Sequence, residues 1–290
     1  MVHKYDKIRR LEKDEGATFA PDELVIVQEK IDGANFRVWK EDGVLRFGSR
    51  TVEFLPETDP NCGYGTFARA VEYIKTLNTQ YFIEDYIYVF EAMIKHTLPY
   101  EFDKHPAAIL LDIYDIKQDK YWNIIPSVDN AAGLLGCQIA PIIFAREYKV
   151  YDGRIPQSKF GPFTAEGVVI KPIVSSRDSH GNIHMAKKVT AEFLEENKSV
   201  FGSPADSPED GFVSKFVTLA RINKHVGKIE TAKNGKMCPE WIPIVSYNIL
   251  KDICDEEFKT LLKIGTPNLR TIKAGVEREL KLYLTQRGVL

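Results

Sequence analysis

Lys30 is the residue whose surroundings most directly suggest chemistry. It stands in "VQEKIDGANFRVW", Val27 to Trp39, inside a run of apolar and β-branched residues and two positions ahead of Asp32-Gly33. An amine attacks only in its neutral form, and burial or neighbouring cations bring that form within reach of neutral pH. Asp-Gly bends the chain immediately afterwards, which sets the lysine at the mouth of a pocket. The structural alternative is a lysine on a sheet edge, where a charge blocks aggregation. Other polar residues with chemical potential recur on similar strands: Arg50 in "FGSRT", Glu91 in "YVFEAMI", Glu166 and Lys171 in "EGVVIKP", and the pair Lys187-Lys188 in "MAKKVTAEF". Alternation along a strand sends adjacent side chains to opposite faces, so only one of Lys187 and Lys188 can share a face with Lys30. His96, His105, His180 and His184 form no ligand-spaced cluster and read as structural.

The elements that position these residues follow from periodicity. "ELVIVQEKI", "ANFRVW", "GVLRFGS", "YIYVFEAMI", "AAILLDIYDI", "GVVIKPIV" and "HMAKKVT" are short, rich in β-branched and aromatic residues, and bounded by turn formers, as strands are. "KEDG" and "SRDSHGN" read as hairpin connections. "TFARAVEYIKTLN" and "SVDNAAGLLG" read as helices, the second closed by Gly136. "NKSVFGSPADSPEDG", Asn197 to Gly211, has linker composition. Beyond it the apolar spacing is helical: Val213, Phe216, Val217 and Ala220, then Ile249, Ile253, Leu261 and Leu262, then Val276, Leu280, Tyr283 and Leu284. The expected organisation is α+β: a mostly β body over residues 1–196, a linker over 197–211 and a small all-α domain over 212–290.

Composition narrows the class. The 290 residues are 44% hydrophobic, and no apolar run approaches the roughly 20 residues of a membrane span. The opening residues do not read as a signal peptide, so the expected setting is the cytosol. Cys62, Cys137, Cys238 and Cys254 lack a C-x-x-C pair, which speaks against a zinc ribbon or disulfide framework. The net charge of −2 is unevenly spread: residues 212–290 carry 14 Lys+Arg against 8 Asp+Glu, leaving 25 against 33 for residues 1–211. A basic tail suits a polyanionic partner as well as it suits a solvated helical face.

Taken together, Glu29-Lys30-Ile31-Asp32-Gly33-Ala34-Asn35-Phe36 resembles the nucleophile motif of the covalent nucleotidyltransferases, and its E-K-x-x-G-x-N-F form is similar to the RNA ligase 2 family. "FGSRT", "YVFEAMI", "LLDIYD", "EGVVIKP" and "MAKKVTAEF" follow in that family's order, and "KYDKIRRLE" resembles its start. The resemblance covers about the first two thirds of the chain. It implies a nucleotidyltransferase (ligase adenylylation) fold of antiparallel sheets with flanking helices. It further implies an ATP-dependent RNA ligase that forms a covalent lysyl-AMP on Lys30, passes AMP to a 5'-phosphate, and seals that end to a 3'-OH. The partner would be RNA with such ends, with nicked duplex and single-stranded forms both open, and the protein a monomer. Mg²⁺, for which Mn²⁺ can substitute, would be bound by Glu166 and Glu91 directly or through water.

The same resemblance puts Lys187 or Lys188, with Lys171, at the α-phosphate, where they would lower the pKa of Lys30. It puts Glu29 at the adenine edge, Arg50 at a phosphate end, and Ile31, Asn35, Glu91 and Leu111 among the nucleotide-binding positions. Two departures stand out. The lysine pair is contiguous where the family has K-x-K, and Leu111 replaces a ring expected against the base. The absence of a zinc module argues against NAD-dependent DNA ligases, and a helical tail in place of an OB barrel against ATP-dependent DNA ligases and GTP-using capping enzymes. A degenerate ligase that only binds nucleic-acid ends is the non-enzymatic alternative.

Overall fold

The structure, a computed structural model, describes residues 3–11, 17–50, 52–54, 64–95, 97–177, 181–190, 193 and 207–290. The chain divides into two compact units, Met1–Ile94 with Leu98–Thr190, and Lys95–Thr97 with Ala191–Leu290. Among the described residues no helix is long and apolar enough to cross a membrane. Cys137, Cys238 and Cys254 are free thiols, while Cys62 lies outside the described residues.

The first unit is built on eleven strands: β1 (Arg9–Arg10), β2 (Leu24–Lys30), β3 (Ala34–Glu41), β4 (Val44–Ser49), β5 (Glu53–Phe54), β6 (Tyr86–Ala92), β7 (Ala108–Asp115), β8 (Lys120–Tyr121), β9 (Ile142–Glu147), β10 (Gly167–Pro172) and β11 (Ala186–Val189). They form one sheet in the order β1-β11-β10-β2-β9 and a second in the order β5-β4-β3-β6-β7-β8. Every pairing is antiparallel except that of β1 with β11. The seven expected strands are all present; β9, "IIFARE", was not foreseen, because its half-exposed residues carry neither strict alternation nor an unbroken apolar run. Asp42 and Gly43 both take positive φ, 50° and 74°, as a two-residue turn between β3 and β4 requires.

One face of the second sheet carries Phe36, Val38, Phe90 and Leu110. Ala70, Val71 and Ile74 of α1 (Ala68–Thr76) and Ala132 and Leu135 of α2 (Asp129–Leu135) complete that core. Gly136 closes α2 at φ 76°. The same sheet also contributes Trp39, Ile87, Val89 and Tyr114 to a cluster with Tyr5. Val25 and Val27 of β2 pack with Val168, Ile170 and Ala186 on one face of the first sheet. The opposite face of that sheet, by alternation, holds Gln28 and Lys30.

The second unit contains α3 (Pro208–Phe216), α4 (Leu219–Ala232), α5 (Ile242–Glu256), α6 (Phe258–Leu262) and α7 (Leu269–Gln286). The predicted apolar positions form its core, except half-buried Ala220 and exposed Leu262. Residues 197–206 of the expected linker lie outside the described residues, and Ser207–Gly211 are helical start, not linker. Ser207 caps α3 by accepting the Asp210 amide at 3.1 Å, with proline next and acids in the first turn, so a linker-like composition is here an N-terminal signature. Arg221 of α4 is fully buried and meets Asp252 at 3.3 Å and Glu256 at 3.1 Å, which ties α4 to α5.

Candidate active site

Lys30 ends β2 opposite Gly167, and β2 is flanked by β10 and β9, so it is no edge-strand lysine. Gly167 has no room for a side chain: a Cβ there would lie 2.2 Å from the Lys188 carbonyl. Glu166 precedes it, its carbonyl accepting the Thr190 amide at 3.0 Å, which closes the end of the β10–β11 pair. The result is a bond from Lys30 Nζ to Glu166 Oε2 at 2.7 Å, with the two side chains 24% and 13% exposed.

The next two residues of the motif hold this end of β2 in place. The Asp32 carboxylate accepts the Leu98 amide at 2.7 Å, and the Asp32 amide donates to the Tyr100 hydroxyl at 3.0 Å. Gly33 passes so close to β6 that a Cβ would sit 2.4 Å from the Ala92 carbonyl oxygen. The K-x-D-G spacing therefore has a steric and a hydrogen-bonding reason.

Register separates the two lysines of β11. Lys187 pairs with Val169 and Val169 with Gln28, which puts Lys187 on the face of Lys30; Lys188 pairs with Val168 and Val168 with Glu29, on the other face. Lys187 is close enough to Glu166 to stabilise its carboxylate, whereas the Lys188 ammonium lies beside Gly153. Burial opposes the charge on Lys30, but the carboxylates of Glu166, Glu91 and Asp32 outweigh it, and its pKa lies above the ordinary lysine value. The expected depression of that pKa is thus reversed, because the near field is acidic. Burial also raises the pKa of Glu166, reinforced by Asp32 and opposed by Lys30 and Lys187.

The sequence model of the family described as RNA ligase matches residues 23–189, more than half of the chain and the whole of this constellation. The chain belongs to the RNA ligase family. Among solved structures it is similar to the RNA ligase of Naegleria gruberi with PPi, at TM-score 0.50 and 21% identity, covering 68% of this chain and 58% of that one. A mutant of that ligase with ATP and Mn matches at TM-score 0.49 and 19% identity over the same shares. The chain thus spans 58% of the length of these ligases.

Within this RNA ligase fold the other expected positions lie on or beside several different strands. Asn35 pairs with Glu91 across β3 and β6, and the Glu91 charge acts on both Lys30 and Tyr5. Among the described residues neither polar atom of the buried Asn35 amide has a hydrogen-bond partner, an arrangement that fits a polar ligand beside Glu91. Among the described residues no three His, Cys, Asp or Glu side chains are grouped to hold a metal. Glu91 and Glu166, both acting on the Lys30 amine, offer two carboxylates, a donor set that fits an ion keeping most of its waters, as Mg²⁺ does.

Lys171 is corrected. Its ammonium is buried against Asp112 at 2.8 Å and the Leu111 carbonyl at 3.0 Å, and strand rise puts it roughly 13 Å along β10 from Gly167. Leu111 is the extra residue of a bulge between β6 and β7 and packs onto the Tyr5 cluster. Asp112 also accepts the Tyr5 hydroxyl at 2.6 Å. Sequence reasoning missed this triad; its signal was a carboxylate inside the apolar run "AILLDIYD", which needs partners when buried.

Glu29 lies on the face opposite Lys30. Its carboxylate accepts the Ser158 hydroxyl at 2.5 Å and the Lys159 amide at 2.9 Å, which clamps the 158–160 segment at the position expected to meet the adenine edge. Burial raises its pKa, against the opposing effect of those two bonds. Ile31 is buried, and Arg50 is exposed at the end of β4 with its Nε donating to the Tyr5 carbonyl at 3.3 Å. His105 contacts the Phe160 carbonyl at 3.1 Å and His184 the Thr18 carbonyl at 3.0 Å; His96 and His180 lie outside the described residues.

Proposed function

We propose that the chain is an ATP-dependent RNA ligase that joins 3'-OH and 5'-phosphate RNA ends through a covalent lysyl-AMP, in nick sealing or RNA repair. The observation that carries this reading is the Lys30 amine held at 2.7 Å from Glu166 on the sheet face that also carries Lys187. Family membership supports RNA as substrate. The Naegleria gruberi RNA ligase with PPi, the group a nucleoside triphosphate releases on adenylylating a lysine, supports a triphosphate donor such as ATP.

In the first step the lone pair of Lys30 Nζ forms a bond to the α-phosphorus, the bond to the bridging oxygen breaks, and pyrophosphate leaves with that electron pair. Lys30 must first lose a proton, and Glu166 stands at the atom it leaves. Lys187 supplies positive charge on the same face for the phosphate oxygens. A hydrated Mg²⁺ near Glu91 and Glu166 would neutralise phosphate charge. AMP then passes to the RNA 5'-phosphate as a 5'-5' pyrophosphate. Attack by a 3'-OH forms the phosphodiester bond and releases AMP.

Because the pKa of Lys30 is raised, the amine is cationic at neutral pH and its reactive fraction grows as pH rises. The rate of lysyl-AMP formation is expected to climb about tenfold per pH unit over the range below that pKa. Quench-flow measurement of label incorporation checks this; a flat profile between pH 6 and pH 9, on the order of those values, would contradict a cationic resting lysine.

The functional test is incubation of the purified chain with Mg²⁺ and α-labelled ATP or GTP, followed by addition of nicked and single-stranded RNA bearing 3'-OH and 5'-phosphate ends. Label from ATP together with joined RNA is the expected result. Label from GTP alone would mean capping chemistry, and RNA binding without label would mean an end binder. Removal of residues 207–290 is expected to spare lysyl-AMP formation and impair transfer to RNA, since Lys30, Glu166 and Lys187 all belong to the first compact unit. Equal loss of both steps in a folded truncation would refute that division.

A further inference from the structure

Arg37 lies in β3, is 2% exposed, and has no carboxylate within ion-pair distance among the described residues. Burial holds its pKa below the ordinary arginine value, against the opposing charge of Glu53 on β5, and its donors are satisfied by backbone carbonyls. Arg37 Nε donates to the Ser49 carbonyl and Nη1 to the His3 carbonyl, both at 2.6 Å. Its guanidinium also sits 5.7 Å from the Trp39 ring centre. Gly48, its register partner on β4, makes room: a Cβ there would lie 3.1 Å from Nη2 and 2.7 Å from the Val52 carbonyl.

These bonds converge on the backbone next to Arg50. The turn is closed by the Ser49 amide on the Val52 carbonyl at 2.8 Å and by the Val52 amide on the Ser49 hydroxyl at 3.2 Å. Arg50 Nε rests on the Tyr5 carbonyl, in the same N-terminal segment that Arg37 holds through His3. One fork of donors thus holds both supports of Arg50, whose terminal nitrogens make no hydrogen bond among the described residues. We propose that Arg37 is a positioning residue that sets Arg50 for a terminal 5'-phosphate, so that selection of phosphorylated ends depends on a side chain that never touches them. This inference rests on the ligase reading of Arg50.

The test uses the full chain and two nicked RNA duplexes that differ only in a 5'-phosphate or 5'-hydroxyl at the nick, with binding read by fluorescence anisotropy. The unaltered chain is expected to prefer the phosphorylated nick, and Arg37→Gln to lose about tenfold of that preference while its affinity for the hydroxyl nick stays the same. In an Arg50→Ala background, Arg37→Gln is expected to add nothing, as for two residues acting through one contact. Arg37→Lys keeps the charge without the fork and carries the same comparison should Arg37→Gln fail to fold. Equal weakening on both duplexes, additive effects with Arg50→Ala, or no end preference in the unaltered chain would overturn the proposal. Failure of lysyl-AMP formation with the end preference intact would remove the ligase reading and leave this role standing.

Discussion

Replacement of Lys30 by alanine is expected to abolish label transfer from α-labelled ATP to the protein, a loss of at least about 10⁴-fold, as for removal of a nucleophile. The amine is the only atom of that side chain that can form the phosphoramidate. Lys187, which acts on the same Glu166, belongs to a different strand and cannot take its place at the end of β2. Lys30→Arg is expected to fail equally despite keeping the charge, because guanidinium does not deprotonate in proteins. Both variants remove a partly exposed side chain, so an unchanged circular-dichroism spectrum should accompany the loss. Residual label stable on denaturing gels in Lys30→Ala would assign the covalent bond to another residue.

Alanine at Lys187 and at Lys188 should have opposite outcomes although the two are adjacent. Lys187→Ala removes the cation that shares the face of Lys30 and stabilises the Glu166 carboxylate, and lysyl-AMP formation is expected to fall about 10²- to 10³-fold. Lys188→Ala alters the opposite face, beside Gly153, and is expected to stay close to the unaltered chain. Single-turnover rates of label incorporation decide the matter; an equal loss in both variants would show that the register of β11 is not what selects the working lysine.

The legible part of this protein was local. Lys30-x-Asp32-Gly33, the Asp42-Gly43 turn and the α2 stop at Gly136 were readable because turn chemistry and strand alternation act over a few residues. Alternation even required that Lys187 and Lys188 part company. The sequence could not say which went where, since that depends on how β11 registers with β10 and β10 with β2. Ser207-Pro208-Glu209-Asp210 shows the opposite failure: polar, proline-bearing composition looked like a linker, while the same residues are a capped helix start.

By itself the sequence determined the inventory: a nucleophilic lysine, acids and cations on neighbouring strands, an α+β body and a helical tail. Tertiary structure decided which of them work on one another. It paired Lys171 with Asp112, turned Glu29 onto Ser158, brought Arg37 to the His3 and Ser49 carbonyls, and surrounded Lys30 with three carboxylates. Each of these outcomes joins residues brought together by strand order and bulges, not by proximity in the chain. Electrostatics sums over all charges within a few ångströms of a buried atom, so the sign of the pKa shift at Lys30 belongs to the assembled fold.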